Sequence, residues 1–152
     1  MNTKLLQVKS LSKSFPIERR GLFNFFKGKL TAVDKVSFDI KQGKTLGLVG
    51  ESGCGKSTVA RAILRLIEPN SGRVILGNTE LLNCSPKELR KMRRYMQLVF
   101  QDPYSSLNPR LRVTKILSEP MWAHGIKGKA VTSRMDEVLE LVGVRASAKT
   151  LY

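Results

Sequence analysis

The sequence has little of what most catalytic and metal centres are built from. It holds one histidine, one tryptophan and two cysteines, and its 12 acidic residues are outnumbered by 27 Lys and Arg, for a formal net charge of +15. Two cysteines, Cys54 and Cys84, do not make a disulfide scaffold, and free thiols suit a reducing cytosol. No apolar run approaches the roughly 18 residues that a membrane-spanning helix needs. The opening Met1-Asn2-Thr3-Lys4 is broken by polar residues too early for a signal peptide. No internal repeat or low-complexity segment is present. At 41% hydrophobic and 26% charged, the 152 residues are not a disordered chain. Length of this order supports a core of its own.

An excess of cations fits nucleic acid, an anionic membrane surface or a phosphorylated ligand. The basic residues are spread along the chain, and the densest group is Lys87, Arg90, Lys91, Arg93 and Arg94. Aromatics do not alternate with them as in a single-strand binder, so nucleic acid is not the expected partner. Composition goes no further.

Patterning places the elements. Leu5 to Val8 reads as a short strand. Ile17 to Leu30, with Arg19, Arg20, Lys27 and Lys29 around Phe23, Phe25 and Phe26, fits an amphipathic surface segment touching a membrane, but its shortness and Gly21 and Gly28 favour a loop insertion whose phenylalanines pack on the domain. Val36, Phe38 and Ile40 alternate with Ser37 and Asp39, the period of a half-buried strand. Thr45 to Val49 is an unbroken apolar run, as expected of a central strand covered on both faces. Val59, Ile63, Leu66 and Ile67 recur at helical spacing, with Arg61 and Arg65 on the other side, until Glu68-Pro69-Asn70-Ser71-Gly72 turns the chain. Arg73 to Leu76 is a further strand. Ser85-Pro86-Lys87-Glu88 carries a cap, a first-turn proline and a capping-box glutamate. Met96 to Phe100 returns to strand. Val113 to Ser118, and then Val131, Met135, Val138, Leu139 and Val142 up to Gly143, are helical. His124, beside Trp122 in the expected connection, reads as a surface residue rather than a catalyst.

Chemistry concentrates in Gly50-Glu51-Ser52-Gly53-Cys54-Gly55-Lys56-Ser57, a complete G-x-x-x-x-G-K-[ST]. A loop that wraps phosphate oxygens needs small residues, and its N–H groups at the start of a helix offer an anion site. Lys56 is placed to contact the outer phosphates and the Ser57 hydroxyl to hold Mg²⁺. The flanks are those the motif demands: an apolar strand run before, an amphipathic helix after. Gly50, Ser52, Gly53, Cys54, Gly55, Lys56, Ser57 and Thr58 are therefore the expected set that binds a nucleoside triphosphate. Cys54 reads as a small residue that fits the loop, and Cys84 as a partly buried thiol.

Val49 to Thr58, followed by Val99-Phe100-Gln101-Asp102-Pro103-Tyr104-Ser105-Ser106-Leu107-Asn108-Pro109, resembles the ATP-binding subunits of ABC transporters, and within them the bacterial dipeptide/oligopeptide and nickel importer group. The resemblance implies an α/β fold: a P-loop NTPase core with an antiparallel β-subdomain over 1–107 and a partial helical subdomain over 108–152. It implies that Phe15 stacks on adenine, where tyrosine is commoner, and that Gln101 reaches Mg²⁺ and the attacking water. The stretch after Gln101 is similar to the loop that docks on the transmembrane subunit. The expected ligands are ATP and Mg²⁺. The expected partners are permease subunits and a second ATPase subunit, on the cytoplasmic side of the membrane.

Three parts of the family pattern have no counterpart here: the L-S-G-G-Q signature, an apolar run ending in Asp-Glu, and a later switch histidine. The chain is expected to be cut within the helical subdomain, to bind ATP–Mg²⁺ weakly and to turn over negligibly. Peptide import powered by ATP hydrolysis is the leading function. A nickel-importer subunit, an ABC ATPase without a transporter and a non-catalytic nucleotide-binding product are the alternatives.

Overall fold

The computed structural model describes residues 4–20, 25–102 and 106–145. The chain divides into two compact units, Met1–Gln97 and Leu98–Tyr152. Among the described residues no helix is long and apolar enough to cross a membrane.

The first unit is built on an antiparallel sheet. Strands β1 (Lys4–Arg20) and β2 (Phe25–Lys41) form a long hairpin; β3 (Ser71–Leu76) pairs with the other side of β1, and β4 (Thr79–Glu80) adds the edge, giving the order β2-β1-β3-β4. The short strand expected at Leu5 to Val8 is thus the start of a 17-residue strand. The described parts of the stretch read as a loop insertion, Ile17 to Arg20 and Phe25 to Leu30, are strand as well, with Ile17 opposite Gly28 and Arg20 opposite Phe25. Cross-strand pairing overrides the glycine there. Phe23 and the side chains of Phe25 and Phe26 lie outside what is described.

Register shifts interrupt the hairpin between Lys4 and Leu6 and again between Val8 and Ser14. Ser10 and Lys35 both have φ of 47°, and serine hydroxyls stitch the irregularity: Ser37 Oγ accepts from Ser10 N at 2.8 Å and Ser12 Oγ from Lys35 N at 2.9 Å. Such bulges leave main-chain groups without a ladder partner, and short polar side chains fill that place.

Helix α1 (Lys56–Ile63) lays Val59 and Ala62 on Val8, Leu11, Val33, Val74 and Leu81, all buried. It ends before the apolar spacing does. Arg65 takes a left-handed φ of 50°, and Leu66 is half exposed. Arg65 does not face solvent as expected. Its guanidinium donates to Glu68 Oε1 at 2.9 Å and to the carbonyls of Leu81 and Cys84 at 2.9 and 2.8 Å, tying the helix end to the turn after β4. The helical periodicity through Leu66 could not reveal this clamp, which closes on carbonyls 16 and 19 residues away.

Helix α2 (Pro86–Met92) starts as its sequence dictates. Ser85 Oγ accepts from Glu88 N at 3.4 Å, and the Glu88 carboxylate accepts from Ser85 N at 2.8 Å, completing the capping box. The Ser85 hydroxyl and amide hold the Glu88 carboxyl below the usual carboxylate range. A depressed carboxylate stabilises the fold above its unfolded-state pKa and ceases to as pH falls through its folded value. Replacing Ser85 with Ala is expected to cost about 1 kcal/mol at neutral pH. Urea unfolding checks this, and the difference from wild type should shrink on acidification below the carboxylate range.

Two expected strands do not form. Thr45–Val49 joins no ladder, and Val49 is 97% exposed; Met96–Phe100 likewise stays outside the sheet, with Val99 at 83%. An apolar run states what a segment buries when neighbours flank it. Among the described residues Val49 and Val99 stay uncovered, while Met96 packs against the first unit's core.

The second unit holds helices α3 (Val113–Ala123) and α4 (Lys129–Leu141). Met121, Val131 and Met135 form its buried cluster. Trp122 is in α3 rather than in a connection, and His124 caps that helix on the surface. Gly143, at φ 70°, follows the end of α4 as expected.

Candidate nucleotide site

The glycine-rich loop runs from Gly50 into α1, and Lys56, Ser57 and Thr58 occupy the first turn of that helix. Gly55 is the residue before the helix, at φ 97°, and Gly53 has φ 83°, both closed to most side chains. A Cβ at Gly55 would lie 2.2 Å from the carbonyl oxygen of Ala32 in β2. The loop thus rests directly on the hairpin backbone. A Cβ at Gly50 would meet Cys54 Sγ at 2.7 Å, so the two ends of the turn also approach closely.

Lys56 folds back across the loop. Its ammonium donates to Gly50 O at 2.8 Å and Glu51 O at 2.6 Å, with Cys54 Sγ at 3.4 Å. A compact cation with three rotatable donors is well placed to exchange neutral carbonyls for anionic oxygens. Ser52, Gly53 and Ser57 are exposed, so their polar groups are accessible to a ligand.

Phe15 is in β1, opposite Leu30, and half-buried. Its neighbour Ser14 sits opposite Thr31, with their hydroxyl oxygens 3.3 Å apart, and Thr31 precedes the Ala32 carbonyl against which Gly55 packs. The register therefore sets the backbone of Phe15 within a few residues of the loop's resting point. Two groups around Phe15 carry no motif signal. Lys13 Nζ lies 5.1 Å from its ring centroid and donates to Glu68 O at 2.7 Å; Asn70 bonds the β1 backbone on either side of Lys13.

Gln101 belongs to the second unit, in an exposed bend. Pro103, Tyr104 and Ser105 of the expected docking loop lie outside the described residues. Among the described residues no cluster of three or more His, Cys, Asp or Glu gathers to hold a metal. The Ser57 hydroxyl, exposed at the first turn of α1, is the kind of oxygen donor that fits a Mg²⁺ held by one or two protein ligands together with phosphate and water.

A glycine loop opening a helix over an antiparallel sheet is the arrangement of an ATP-binding cassette. A solved cassette in a dimeric post-hydrolysis state bound to ADP and Pi superposes with a TM-score of 0.71 at 24% identity, over 95% of this chain and 60% of that one. The structure of cbiO1 from Clostridium perfringens, part of the ABC transporter complex cbiONQ, superposes with 0.69 at 25%, over 97% and 53%. The ABC transporter model matches residues 33–152. The chain belongs to the ABC transporter family.

Curated relatives narrow the branch. The chain is 53% identical over 121 residues to a probable peptide ABC transporter ATP-binding protein of Sinorhizobium fredii, covering 80% of this chain and 34% of the relative. It is 43% identical over 150 residues to the oligopeptide transport ATP-binding protein AppF of Bacillus subtilis, covering 97% and 45%. A glutathione import ATP-binding protein of Salmonella paratyphi A follows at 45% over 142 residues, covering 93% and 23%. The chain thus spans less than half the length of each. The family and fold expected from the phosphate loop and the Gln101 segment are borne out.

Proposed function

We propose that this chain is the nucleotide-holding part of an ATPase subunit that drives import of peptides across a bacterial cytoplasmic membrane. The observation that carries it is the 53% identity to a probable peptide transporter ATP-binding protein. The complete phosphate loop supports the nucleotide half of the reading.

In this reading the amides from Gly50 to Gly55 and the first turn of α1 cradle the phosphates, with Thr58 behind them. Lys56 leaves the loop carbonyls for the outer phosphates. Phe15 provides a flat apolar face for adenine. The Ser57 hydroxyl and the Gln101 side-chain oxygen would hold Mg²⁺, which neutralises charge on the phosphates when bound. Gln101 also orients the attacking water. Residues 108–152 are part of a helical subdomain and 1–107 the β-subdomain with the phosphate loop. The subunit pairs with a second ATPase and works beneath permease subunits on the cytoplasmic face. These 152 residues lack the signature and the Asp-Glu run, so taken alone they bind ATP–Mg²⁺ weakly and do not turn it over.

Uptake of a labelled dipeptide and of labelled nickel, compared in cells with and without the gene, tests the cargo. Deletion is expected to abolish peptide uptake and leave nickel uptake unchanged. Loss of nickel uptake alone would overturn the peptide reading in favour of a nickel importer.

A further inference from the structure

We propose that Asn70 is a positioning residue for the nucleotide base, holding the strand that presents Phe15. The inference rests on the reading of Phe15 as the base platform. Strand β3 begins at Ser71, which lies opposite Ser12 of β1. Past that pair β1 has no β3 neighbour, although Phe15 is three residues further on. Asn70 continues the pairing. Its main-chain N–H donates to Ser12 O at 2.8 Å, and its side-chain Oδ1 accepts from Ser14 N at 2.6 Å. An asparagine side chain carries the same carbonyl group as a peptide unit and substitutes for one where the chain turns away.

The same turn holds the Phe15 side chain through Lys13. The Lys13 ammonium donates to Glu68 O at 2.7 Å and lies over the Phe15 ring, 5.1 Å from its centroid. On the opposite edge of β1, Ser14 meets Thr31, the residue before the carbonyl against which Gly55 rests. Ser14 is therefore gripped from both sides, by Asn70 through its backbone and by Thr31 through its hydroxyl. A ring fixed before the base arrives loses less freedom on stacking than a mobile one.

Calorimetric titration of the 152-residue chain with ATP and with inorganic pyrophosphate tests this, since pyrophosphate engages the phosphate loop and not the base platform. Phe15→Ala is expected to weaken ATP about tenfold, as loss of one stacking contact does, and to leave pyrophosphate unchanged. Asn70→Ala is expected to weaken ATP about three- to tenfold, again without moving pyrophosphate. Asn70→Asp, which keeps an acceptor for Ser14 N, should restore most of the ATP affinity. The double variant Asn70→Ala/Phe15→Ala should be no weaker than Phe15→Ala alone, because the two act through one ring. Unchanged ATP affinity in Asn70→Ala, beside a weakened Phe15→Ala, would overturn the proposal alone. Equal weakening of ATP and pyrophosphate by Asn70→Ala would also overturn it, marking a general structural role. Unchanged ATP affinity in Phe15→Ala would overturn the platform reading and this proposal with it.

Discussion

Lys56→Ala is expected to abolish ATP binding to this chain, raising the dissociation constant at least about a hundredfold. The size follows from the bonds lost. Hydrogen bonds between a charged donor and phosphate oxygens contribute about 1.5–3 kcal/mol each, and 1.4 kcal/mol is tenfold in affinity. Two such bonds account for a factor of about a hundred. Stability should move far less, because in the protein alone the ammonium donates to the Gly50 and Glu51 carbonyls and to Cys54 Sγ of an exposed loop, which water can replace. Fluorescent-nucleotide titration beside urea unfolding separates the two effects. Lys56→Arg keeps the charge but presents a planar fork where a rotating ammonium sat, so it should recover only part of the affinity. Unchanged affinity in Lys56→Ala would refute the site.

The candidate phosphate loop was legible because its determinants are local. Six residues of loop, one lysine and one serine are contiguous, and each has a chemical reason for its place. The capping box at Ser85 and Glu88 was legible for the same reason: a hydroxyl and a carboxylate three residues apart at a helix start reach each other's backbone, and here each other as well. What the sequence did not reveal is long-range. The partners of Arg65 are carbonyls of the turn after β4. The acceptor for Ser14 N sits 56 residues downstream on Asn70. Nothing in the spacing around either residue encodes those meetings.

The apolar runs at Thr45–Val49 and Met96–Phe100 show the complementary failure. Their composition fits a strand covered on both faces, and relatives of the chain are more than twice its length. Burial, however, is a property of a segment and its neighbours together. In the sheet formed here β2 and β4 are the edges, and neither run joins them. The hairpin shows the opposite case. Gly28 argued for a loop, yet Phe25 to Leu30 aligns with Phe15 to Arg20 along the strand pair. Pairing along a 17-residue strand outweighs the preference of that glycine.

The dependence of the loop on the hairpin yields a test that separates conformation from packing. Gly55→Ala is expected to destabilise the chain by about 2–5 kcal/mol, combining a left-handed conformation with overpacking. Gly53→Ala is the control. Its φ of 83° is similarly unfavourable, but a Cβ there meets nothing within 4 Å. It should cost only the conformational part, about 1–2 kcal/mol. The difference between the two variants, read from urea midpoints at equal m-values, is the contact with the Ala32 carbonyl. That contact is main chain against main chain, so rotating a side chain cannot relieve it. Relief requires the loop to lift from β2, which also moves the first turn of α1 carrying Lys56 and Ser57. Gly55→Ala should therefore lose pyrophosphate binding even under conditions where it stays folded. If the two variants unfold at the same urea concentration and Gly55→Ala still binds pyrophosphate, the hairpin is not what holds the loop in shape.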